Sequence, residues 1–309
     1  MRFKKILVTG SSGTIGTRLC QRLLENGYEF IGVDWKKNKW DKEIEKRTIH
    51  LDLRNKNLVF KKLPKNIDLI IHLAANARVY NLVLDPNLAL DNIITTFNIL
   101  EFARLNKIKN IIFASSREIY GNSPKVVHKE ENIKLEFIES PYSASKLSGE
   151  VLIRVYKKCY EIDFVIIRFS NVYGMYDNSD RVVPLFIKLA KQNKNLIIYG
   201  KEKVLDFTYI DDAVNGVLLV IKKFLKAKNN VFNIATGKGI KVLDVAKLII
   251  KNLNSKSKII LKKNRTGEVV KYIANINKAK KILDYQPTMD IKNGIIKSIK
   301  WYSDFINNI

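Results

Sequence analysis

A tyrosine and a lysine four residues apart, Tyr142 and Lys146, offer acid/base chemistry. Residues at this spacing share one face of a helix. A phenol has an ordinary pKa of about 10, so it needs help to act as a base near neutral pH. A lysine ammonium one turn away favours the phenolate. Together with Ser116, at the end of an upstream apolar run, the pair predicts a site that removes the proton of a hydroxyl group.

Three glycines near the start of the chain offer a place for a dinucleotide. Gly10, Gly13 and Gly16 lie in ILVTGSSGTIG, directly after an apolar run and at the start of a helical pattern. Glycine allows the tight turn and lets backbone amides approach a pyrophosphate, whose charge the helix N-terminus favours. This strand–turn–helix context predicts a cofactor site.

The ends of the next strands carry residues that suit the adenosine half of that cofactor. Asp34 follows Gly16 by 18 residues. A carboxylate there accepts hydrogen bonds from both ribose hydroxyls and repels a 2′-phosphate, which favours NAD over NADP. Asp52 and Leu53 are expected over the adenine, although Asp52 alone fits a helix cap equally well. His72, in HLAANA, fits a buried core residue better than a ligand, and the small residues after it leave room for the dinucleotide.

Alternating strand and helix patterns position these residues. Short apolar runs predict buried parallel strands at Ile6–Thr9, Phe30–Asp34, Leu69–Leu73, Ile111–Ser115 and Phe164–Phe169. Amphipathic stretches between them predict helices at Thr14–Asn26, Asn87–Leu105 and Pro141–Tyr160. These elements predict an α/β fold with a Rossmann-type doubly wound parallel sheet.

After Phe169 the pattern loosens into shorter elements. We predict strands near Leu196–Tyr199 and Val204–Tyr209, and helices near Val183–Gln192, from Asp211, near Val242–Leu253 and near Ile291–Ile306. No repeat or low-complexity linker separates them from the first half, so we expect a smaller, interleaved C-terminal substrate lobe. The predicted NAD-binding domain is residues 1–170, with a return segment at about 209–236, and the predicted substrate-binding lobe is residues 171–208 and 237–309.

Composition limits the classes of partner. The formal charge of +25 comes mostly from lysines spread along the chain beside asparagine and isoleucine. Proteins that read nucleic acid usually cluster basic residues and rely on arginine, so a nucleic-acid partner is not expected. Cys20 and Cys159 form neither a metal spacing nor a disulfide framework, which suits a reducing cytoplasm. The apolar start breaks at Thr9–Ser12, too early for a secretory signal, and no run reaches membrane-spanning length.

Several motifs together resemble the short-chain dehydrogenase/reductase superfamily, in its extended branch of nucleotide-sugar epimerases and dehydratases. They are GSSGTIG, Asp34, HLAA, SSREIYG, SPYSASK, RFSNVYG, DFTYIDD and RTGEVVKY, spread over nearly the whole chain. The resemblance implies a Rossmann fold, bound NAD, a nucleotide-diphosphate sugar as substrate and a homodimer. Dimers of this branch pair helices like Asn87–Leu105 and Pro141–Tyr160.

By that resemblance Ser116, Tyr142 and Lys146 form the catalytic set. Tyr142 removes the proton of a sugar hydroxyl, hydride passes from the same carbon to NAD, and Ser116 hydrogen-bonds that oxygen. In an epimerase the flat keto-sugar then rotates, and hydride returns to its other face. The resemblance also implies that NAD contacts Gly10, Gly13, Thr14, Ile15, Gly16, Asp34, Asp52, Leu53, Leu73, Ala74, Ala75, Asn92, Ser115, Tyr142 and Lys146.

The pair Arg117-Glu118 bears on the type of reaction. Dehydratases of this family carry an Asp-Glu pair here, the Asp as the acid for the departing hydroxyl. An arginine, with a pKa above 12, is no general acid at ordinary pH, which argues against a 4,6-dehydratase. Glu118 leaves a decarboxylase open, because decarboxylases of the family also carry a glutamate here. Two roles stay open for the pair: it lines or caps the loop, or Arg117 reaches a substrate acid or a neighbouring carboxylate.

The resemblance also assigns the substrate side. It places Ser116 and Glu118 at the sugar and Asn171 at the diphosphate. It places two segments around the base: RVVPLFI, from Arg181, and LIIYG, Leu196–Gly200, which contains Tyr199. Arg265 matches a family arginine that grips phosphates, for which guanidinium geometry is suited.

One departure concerns the phosphate grip. Many UDP-sugar epimerases carry an arginine where this chain has Leu205, so Arg181, Lys201 or Lys203 would have to replace it. Asp206 and Asp211-Asp212 are expected to brace the strand and cap the next helix.

The sequence therefore predicts an NAD-dependent nucleotide-sugar 4-epimerase, with UDP-glucose and UDP-galactose as the default pair and no metal. The first alternative is a decarboxylase, dehydratase or reductase of the same family, motivated by Glu118. The second is a nucleotide- or RNA-binding protein on the same fold, motivated by the charge. Proteins of that kind usually lose the tyrosine or the lysine, and this chain has both Tyr142 and Lys146.

Overall fold

A seven-stranded parallel sheet forms the centre of the chain, which the computed structural model describes over residues 3–306. The strands, in chain order, are β1 (Lys5–Thr9), β2 (Glu29–Asp34), β3 (Thr48–His50), β4 (Leu69–His72), β5 (Asn110–Ser116), β6 (Val127–His128), β7 (Asp163–Phe169), β8 (Asn171–Tyr173), β9 (Leu196–Tyr199), β10 (Val204–Tyr209), β11 (Asn230–Ile234), β12 (Gly239–Lys241), β13 (Ile259–Lys262) and β14 (Ile273–Ala274). The central sheet has the order β11-β7-β5-β4-β1-β2-β3. Its order reverses at β1, so the carboxyl ends of β1 and β4 form the crevice where such sheets bind ligands.

Helices cover both faces of this sheet. They are α1 (Thr14–Glu25), α2 (Lys42–Lys46), α3 (Lys56–Lys62), α4 (Val79–Leu84), α5 (Asn87–Leu105), α6 (Pro141–Tyr160), α7 (Val182–Lys191), α8 (Ile210–Lys222), α9 (Phe224–Ala227), α10 (Val242–Asn252), α11 (Asn277–Leu283) and α12 (Ile291–Ile306). Short 3-10 turns lie at Arg117–Tyr120 and Leu135–Phe137. The fold class predicted from the sequence is confirmed, and every predicted strand and long helix is present with ends shifted by a few residues.

Three small sheets lie outside the central sheet: β12-β10-β8, β13-β9 and β14-β6. The chain leaves the central sheet after Phe169 and returns with β11, which pairs in parallel with β7. One apolar core continues from Val8 and Ile167 in the central sheet to Phe207 in the sheet β12-β10-β8. The two sheets are therefore packed on each other. Residues 1–2 and 307–309 of the predicted domain ranges lie outside the described residues.

The short helices α2, α3, α4, α9 and α11 were missed in the sequence. Each is held by local capping or by tertiary packing: the Asp41 carboxylate accepts from two backbone amides at the start of α2, and the Asn55 side chain accepts from Leu58 N at the start of α3. Helices of this length show little periodicity, so the pattern alone does not reveal them. Within residues 3–306, no helix combines the length and the apolar content needed to cross a membrane.

Candidate active site

Helix α6 sets the position of the tyrosine and the lysine. Its N-cap, Ser140, accepts a hydrogen bond from Ser143 N at 3.2 Å, and Pro141 occupies the first helical position, where no amide partner is needed. Tyr142 therefore lies in the first turn and Lys146 in the second, both buried. The structure brings them together on the face that packs against β5.

Lys146 joins α6 to the end of β5. Its Nζ donates to the carbonyl oxygen of Ala114 at 2.8 Å and lies 5.1 Å from the centre of the Phe113 ring. Gly149 makes this approach possible, because a Cβ there would lie 2.5 Å from the same ring. Burial lowers the pKa of Lys146 to about 8, while Glu150 raises it.

The Tyr142 hydroxyl lies close enough to the Ser116 side chain for the serine to lower its pKa. Burial raises the pKa of Tyr142, whereas Ser116 and the Arg181 charge lower it and Glu118 raises it. Ser116 Oγ also accepts from Glu118 N at 3.2 Å, which begins the 3-10 turn. The predicted serine and tyrosine are therefore close together, and the effect of Lys146 on the phenolate stays a prediction.

A buried ion pair lies beneath β5 and α6. Arg168 binds Glu150 through two hydrogen bonds of 2.9 and 2.8 Å, and both side chains are almost fully buried. Ser115 Oγ donates to the same carboxylate at 2.7 Å. Ser115 lines the cavity described next, but its hydroxyl points to this pair, so a side-chain bond from Ser115 to a cofactor stays only a prediction.

The glycine turn opens into a cavity of about 910 Å³ that also contains Ser116, Tyr142 and Lys146. Gly10 has a φ of +74°, and a Cβ on it would lie 2.8 Å from Ala74 N. A Cβ on Gly16 would lie 2.0 Å from the carbonyl oxygen of Gly10. Only glycine fits at these two positions. Gly13, Thr14, Ile15, Leu73 and Ala75 also line the cavity.

A smaller cavity of about 240 Å³ continues from the turn toward β2 and β3. Asp34 lines it, with its carboxylate accepting from Ser12 N at 3.0 Å and Lys36 N at 2.9 Å. Burial raises the pKa of Asp34 and these amides lower it. The other predicted adenosine residues Asp52, Leu53, Ala74 and Asn92 line this cavity too.

Two of these polar residues have partners that the sequence did not reveal. Asp52 pairs with Arg54 at 2.7 Å and caps no helix, since Asn55 caps α3. Asn92 Oδ1 accepts from Asn76 N at 2.7 Å, and its amide nitrogen donates to Asn76 O at 3.0 Å. Asn92 thus holds the loop that borders the cavity, and its direct contact with a cofactor stays a prediction.

His72 is a satisfied core residue, as we expected. Its Nδ1 lies 2.7 Å from Thr9 Oγ1, and its Nε2 lies 3.3 Å from Thr96 Oγ1. Full burial lowers its pKa to about 3, so the ring is neutral.

These residues fit NAD. The glycine turn leaves space beside backbone amides at the start of α1, and Ser12 Oγ there is buried without a hydrogen-bond partner among residues 3–306. Asp34 supplies a carboxylate at the edge of the adenosine cavity, and Tyr142 and Lys146 lie at the other end. Such a distribution matches a ligand with a diphosphate between two ribosides.

Cationic side chains line the far side of the larger cavity. Arg265 stacks on the Tyr199 ring at 3.9 Å and on the Tyr80 ring at 4.8 Å. Arg181 Nη1 donates to Asp177 at 3.2 Å. Both arginines and Tyr199 were predicted for the substrate, and the structure places all three at this cavity.

Arg78 was missed in the sequence. It follows HLAANA, pairs with Asp180 and lines the same cavity. Burial, together with the nearby charges of Arg181 and Arg265, lowers its pKa to about 10, although Asp177 raises it. The signal that reveals Arg78 is this convergence of three arginines, which exists only in the folded chain.

Leu205 is buried and lines the cavity. Because leucine is apolar, it supplies no charge at the position where many UDP-sugar epimerases carry an arginine. Lys203, from the turn before β10, lines it as well and pairs with Glu268 at 2.5 Å, whereas Lys201 does not line it. Asn171, at the start of β8, also lines the cavity, with its Oδ1 buried and unpartnered among the described residues.

The aspartates of DFTYIDD are structural, but two of them act differently from our expectation. Asp206 accepts from Thr236 N at 2.9 Å and Gly237 N at 2.8 Å, which braces β10 as predicted. Asp211 pairs with Arg18 at 2.6 Å. Asp212 accepts from Thr288 N at 3.0 Å, and α8 has no side-chain cap. The capping prediction was wrong because both side chains bind distant segments.

The Arg117-Glu118 pair is buried at the cavity wall. Arg117 Nη2 lies 2.6 Å from Glu118 Oε1, and each residue is 6% exposed. Arg117 therefore reaches a neighbouring carboxylate, one of the two roles left open above. The described side chains contain no group of three or more His, Cys, Asp or Glu residues that would hold a metal ion.

Comparisons with known proteins match this description. The family model "NAD dependent epimerase/dehydratase family" matches residues 6–235. A putative UDP-glucose 4-epimerase of Methanocaldococcus jannaschii is 34% identical over 96% of this chain and 97% of its own length.

Two solved structures are similar over almost the whole chain. UDP-glucose 4-epimerase of Thermotoga maritima with UDP-glucose has 29% identity and a TM-score of 0.90, covering 98% of this chain and 99% of its own. UDP-glucuronic acid 4-epimerase of Bacillus cereus, in complex with UDP-glucuronic acid and NAD, has 31% identity and a TM-score of 0.89. The match covers 97% of this chain and 99% of that structure's chain.

Proposed function

The chain belongs to the NAD-dependent epimerase/dehydratase family, and from that premise we propose that it is an NAD-dependent nucleotide-sugar epimerase. Its proposed reaction is inversion of carbon 4 in a UDP-hexose of the UDP-glucose/UDP-galactose type. One observation carries the proposal: the Tyr142 hydroxyl lies close to Ser116 in a cavity that also holds the glycine turn and Arg265. The acid/base residues, the glycine turn for the cofactor and the arginine proposed for the diphosphate therefore line the same cavity.

The chemistry follows from what these side chains do. Bound NAD supplies a reversible acceptor for the hydride of carbon 4. Tyr142 takes the proton of the carbon 4 hydroxyl, and Ser116 hydrogen-bonds that oxygen while it becomes a carbonyl. Lys146 fixes the end of α6 against β5 through Ala114 and adds positive charge near the tyrosine. After the keto-sugar turns over, Tyr142 returns the proton, so no atom is gained or lost.

The substrate is held by the cationic side of the cavity. We assign the diphosphate to Arg265, Arg181 and Asn171, and the base to the segment ending at Tyr199. Arg78, which lines the same cavity, adds a third guanidinium to this grip. Guanidinium groups suit a diphosphate because their fork matches two oxygens at once.

We further infer a homodimer. Helices α5 and α6 pack together, and their outer faces expose the apolar side chains Leu90, Phe97, Leu105, Val151 and Val155. Two copies that join these faces form a four-helix bundle and cover the apolar side chains. Light scattering of the purified protein measures this directly, since a monomer at micromolar concentration would contradict it.

The domain assignment and the compartment are also proposals. The NAD-binding domain is assigned to residues 1–170 with the return at about 209–236, and the substrate lobe to 171–208 and 237–309. The return includes α8 and β11, which rejoins the central sheet. Cys20 and Cys159 are unpaired, which supports a cytoplasmic location.

A panel of nucleotide-sugars tests the function. The protein is purified without added cofactor, its bound NAD is measured, and each sugar is incubated and separated by chromatography with mass detection. A new peak of unchanged mass from a UDP-hexose is expected. A product lighter by water or CO2 would instead assign Glu118 to catalysis and contradict the epimerase.

A further inference from the structure

The Arg117-Glu118 pair, buried at the cavity wall, has no role in the reaction described above. It lies in the turn directly after Ser116, and both residues line the cavity that holds Tyr142. Their charges act on the Tyr142 hydroxyl: Glu118 raises the pKa of Tyr142 and Arg117 lowers it. The pair is therefore close to the atom that handles the carbon 4 proton.

One donor and one acceptor of the pair are unused. The ion pair joins Nη2 of Arg117 to Oε1 of Glu118. Nη1 of Arg117 and Oε2 of Glu118 are buried and have no hydrogen-bond partner among residues 3–306. The amide of Val269 lies near enough to lower the pKa of Glu118, but it makes no hydrogen bond to Oε2. Buried polar atoms without partners are costly, which points to a ligand that supplies them.

Other charged side chains lie around the pair. Lys203 and Glu268 form a second ion pair beside it, and Glu268 raises the pKa of Glu118 while Lys203 lowers it. The Arg117 guanidinium lies 5.6 Å from the centre of the Tyr272 ring. Arg265 lies 4.0 Å from Glu268 on the side of the diphosphate cations, so Glu118 is the anion of this group that lies next to Tyr142.

We propose that Arg117 and Glu118 read the hydroxymethyl group of the hexose and exclude a carboxylate at carbon 6. This inference rests on the proposed function, because it requires a sugar with its carbon 4 hydroxyl at Tyr142. The groups next to carbon 4 on a hexose ring are the carbon 3 hydroxyl and the carbon 6 group. Of these, the carbon 6 group differs between hexoses and hexuronates.

A hydroxyl satisfies both free atoms at once. It accepts a hydrogen bond from Arg117 Nη1 and donates one to Glu118 Oε2. A carboxylate accepts only, so Glu118 Oε2 would stay without a donor and would face a like charge at close range. Like charges in contact cost several kcal/mol. The pair thus favours UDP-glucose and UDP-galactose over UDP-glucuronate.

The test compares kcat/KM for UDP-glucose and UDP-glucuronate in the wild type, Glu118→Gln and Glu136→Gln. Glu136 is exposed and does not line the cavity, so it controls for the same change in net charge. The wild type is expected to prefer UDP-glucose by about tenfold or more. Glu118→Gln is expected to lower that preference by about tenfold or more, through a gain for UDP-glucuronate, and Glu136→Gln is expected to keep it.

A second measurement needs only the wild type. Burial raises the pKa of Glu118 above its ordinary value, so its negative charge is lost at a higher pH than that of an exposed glutamate when the solution is acidified. The preference for UDP-glucose should therefore decline at acidic pH.

The outcomes separate the two proposals. A wild type that prefers UDP-glucuronate, or a preference unchanged by both Glu118→Gln and acid, would overturn the role of this pair while leaving the epimerase intact. Turnover of neither sugar would instead overturn the proposed function.

Discussion

The Nζ atom of Lys146 donates a hydrogen bond of 2.8 Å to the carbonyl oxygen of Ala114, next to the last two residues of β5. This bond joins the helix that carries Tyr142 to the strand that carries Ser116. The tyrosine and the serine, 26 positions apart in the sequence, are thereby held close together at the cavity. The predictions below address this arrangement and the cofactor turn beside it.

Tyr142→Phe should remove the proton-transfer group and little else. We expect kcat for a UDP-hexose to fall by about 100- to 10,000-fold, since that is the usual contribution of a general acid/base. Bound NAD and the melting temperature should be close to those of the wild type. Tyr156→Phe, at the far end of the same helix, is the matched control. Turnover of Tyr142→Phe equal to that of this control would contradict the assignment.

Gly10→Ala should abolish NAD binding. The new Cβ would lie 2.8 Å from Ala74 N, in a backbone conformation with φ of +74°. Gly237→Ala is the control, because Gly237 has a φ of +75° but its Cβ would meet nothing closer than 3.5 Å. Both variants carry backbone strain of about 1–3 kcal/mol. The measurement is NAD content after purification, and equal retention in the two variants would contradict the assignment of the turn.

Glu150→Gln should destabilise the fold by about 3–5 kcal/mol, because Arg168 would be left as an uncompensated buried charge. Both side chains of this pair are almost fully buried, at 2% and 1% exposure. Glu25→Gln breaks exposed pairs and should cost less than about 1 kcal/mol. Urea unfolding measures both values, and similar values would show that the buried pair contributes little.

Part of the pH dependence of stability should come from His72. Burial lowers its pKa to about 3 in the folded chain, from an ordinary value of 6.5. A lowered pKa gives stability that is complete above 6.5 and is lost as the pH falls toward 3. At pH 5 the loss from this group is about 2 kcal/mol. His72→Gln should therefore lose less stability than the wild type between pH 8 and pH 5, and equal slopes would contradict this.

The sequence predicted the elements that local chemistry defines. The glycine turn follows from the steric demands at Gly10 and Gly16, and the strands follow from their apolar runs. The pairing of Tyr142 with Lys146 follows from helical spacing. Each of these signals lies within a few residues, so no tertiary information is needed.

The missed side-chain partners depend on contacts between distant segments. Arg78 becomes informative only when Arg181 and Arg265 lie beside it. Lys203 pairs with Glu268, 65 residues away. Asp212 resembles a helix cap in the sequence, yet it binds the backbone at Thr288. Side chains of this kind have several possible partners, and only the packing of the lobes selects one.

The most direct test of the epimerase uses UDP-glucose that carries deuterium on carbon 4. If hydride leaves that carbon and returns to it inside the cavity, the product is UDP-galactose of the same mass, with the deuterium still on carbon 4. Loss of the deuterium to solvent, or a product lighter by water, would contradict inversion by transfer of hydride from carbon 4 to NAD and its return to the same carbon.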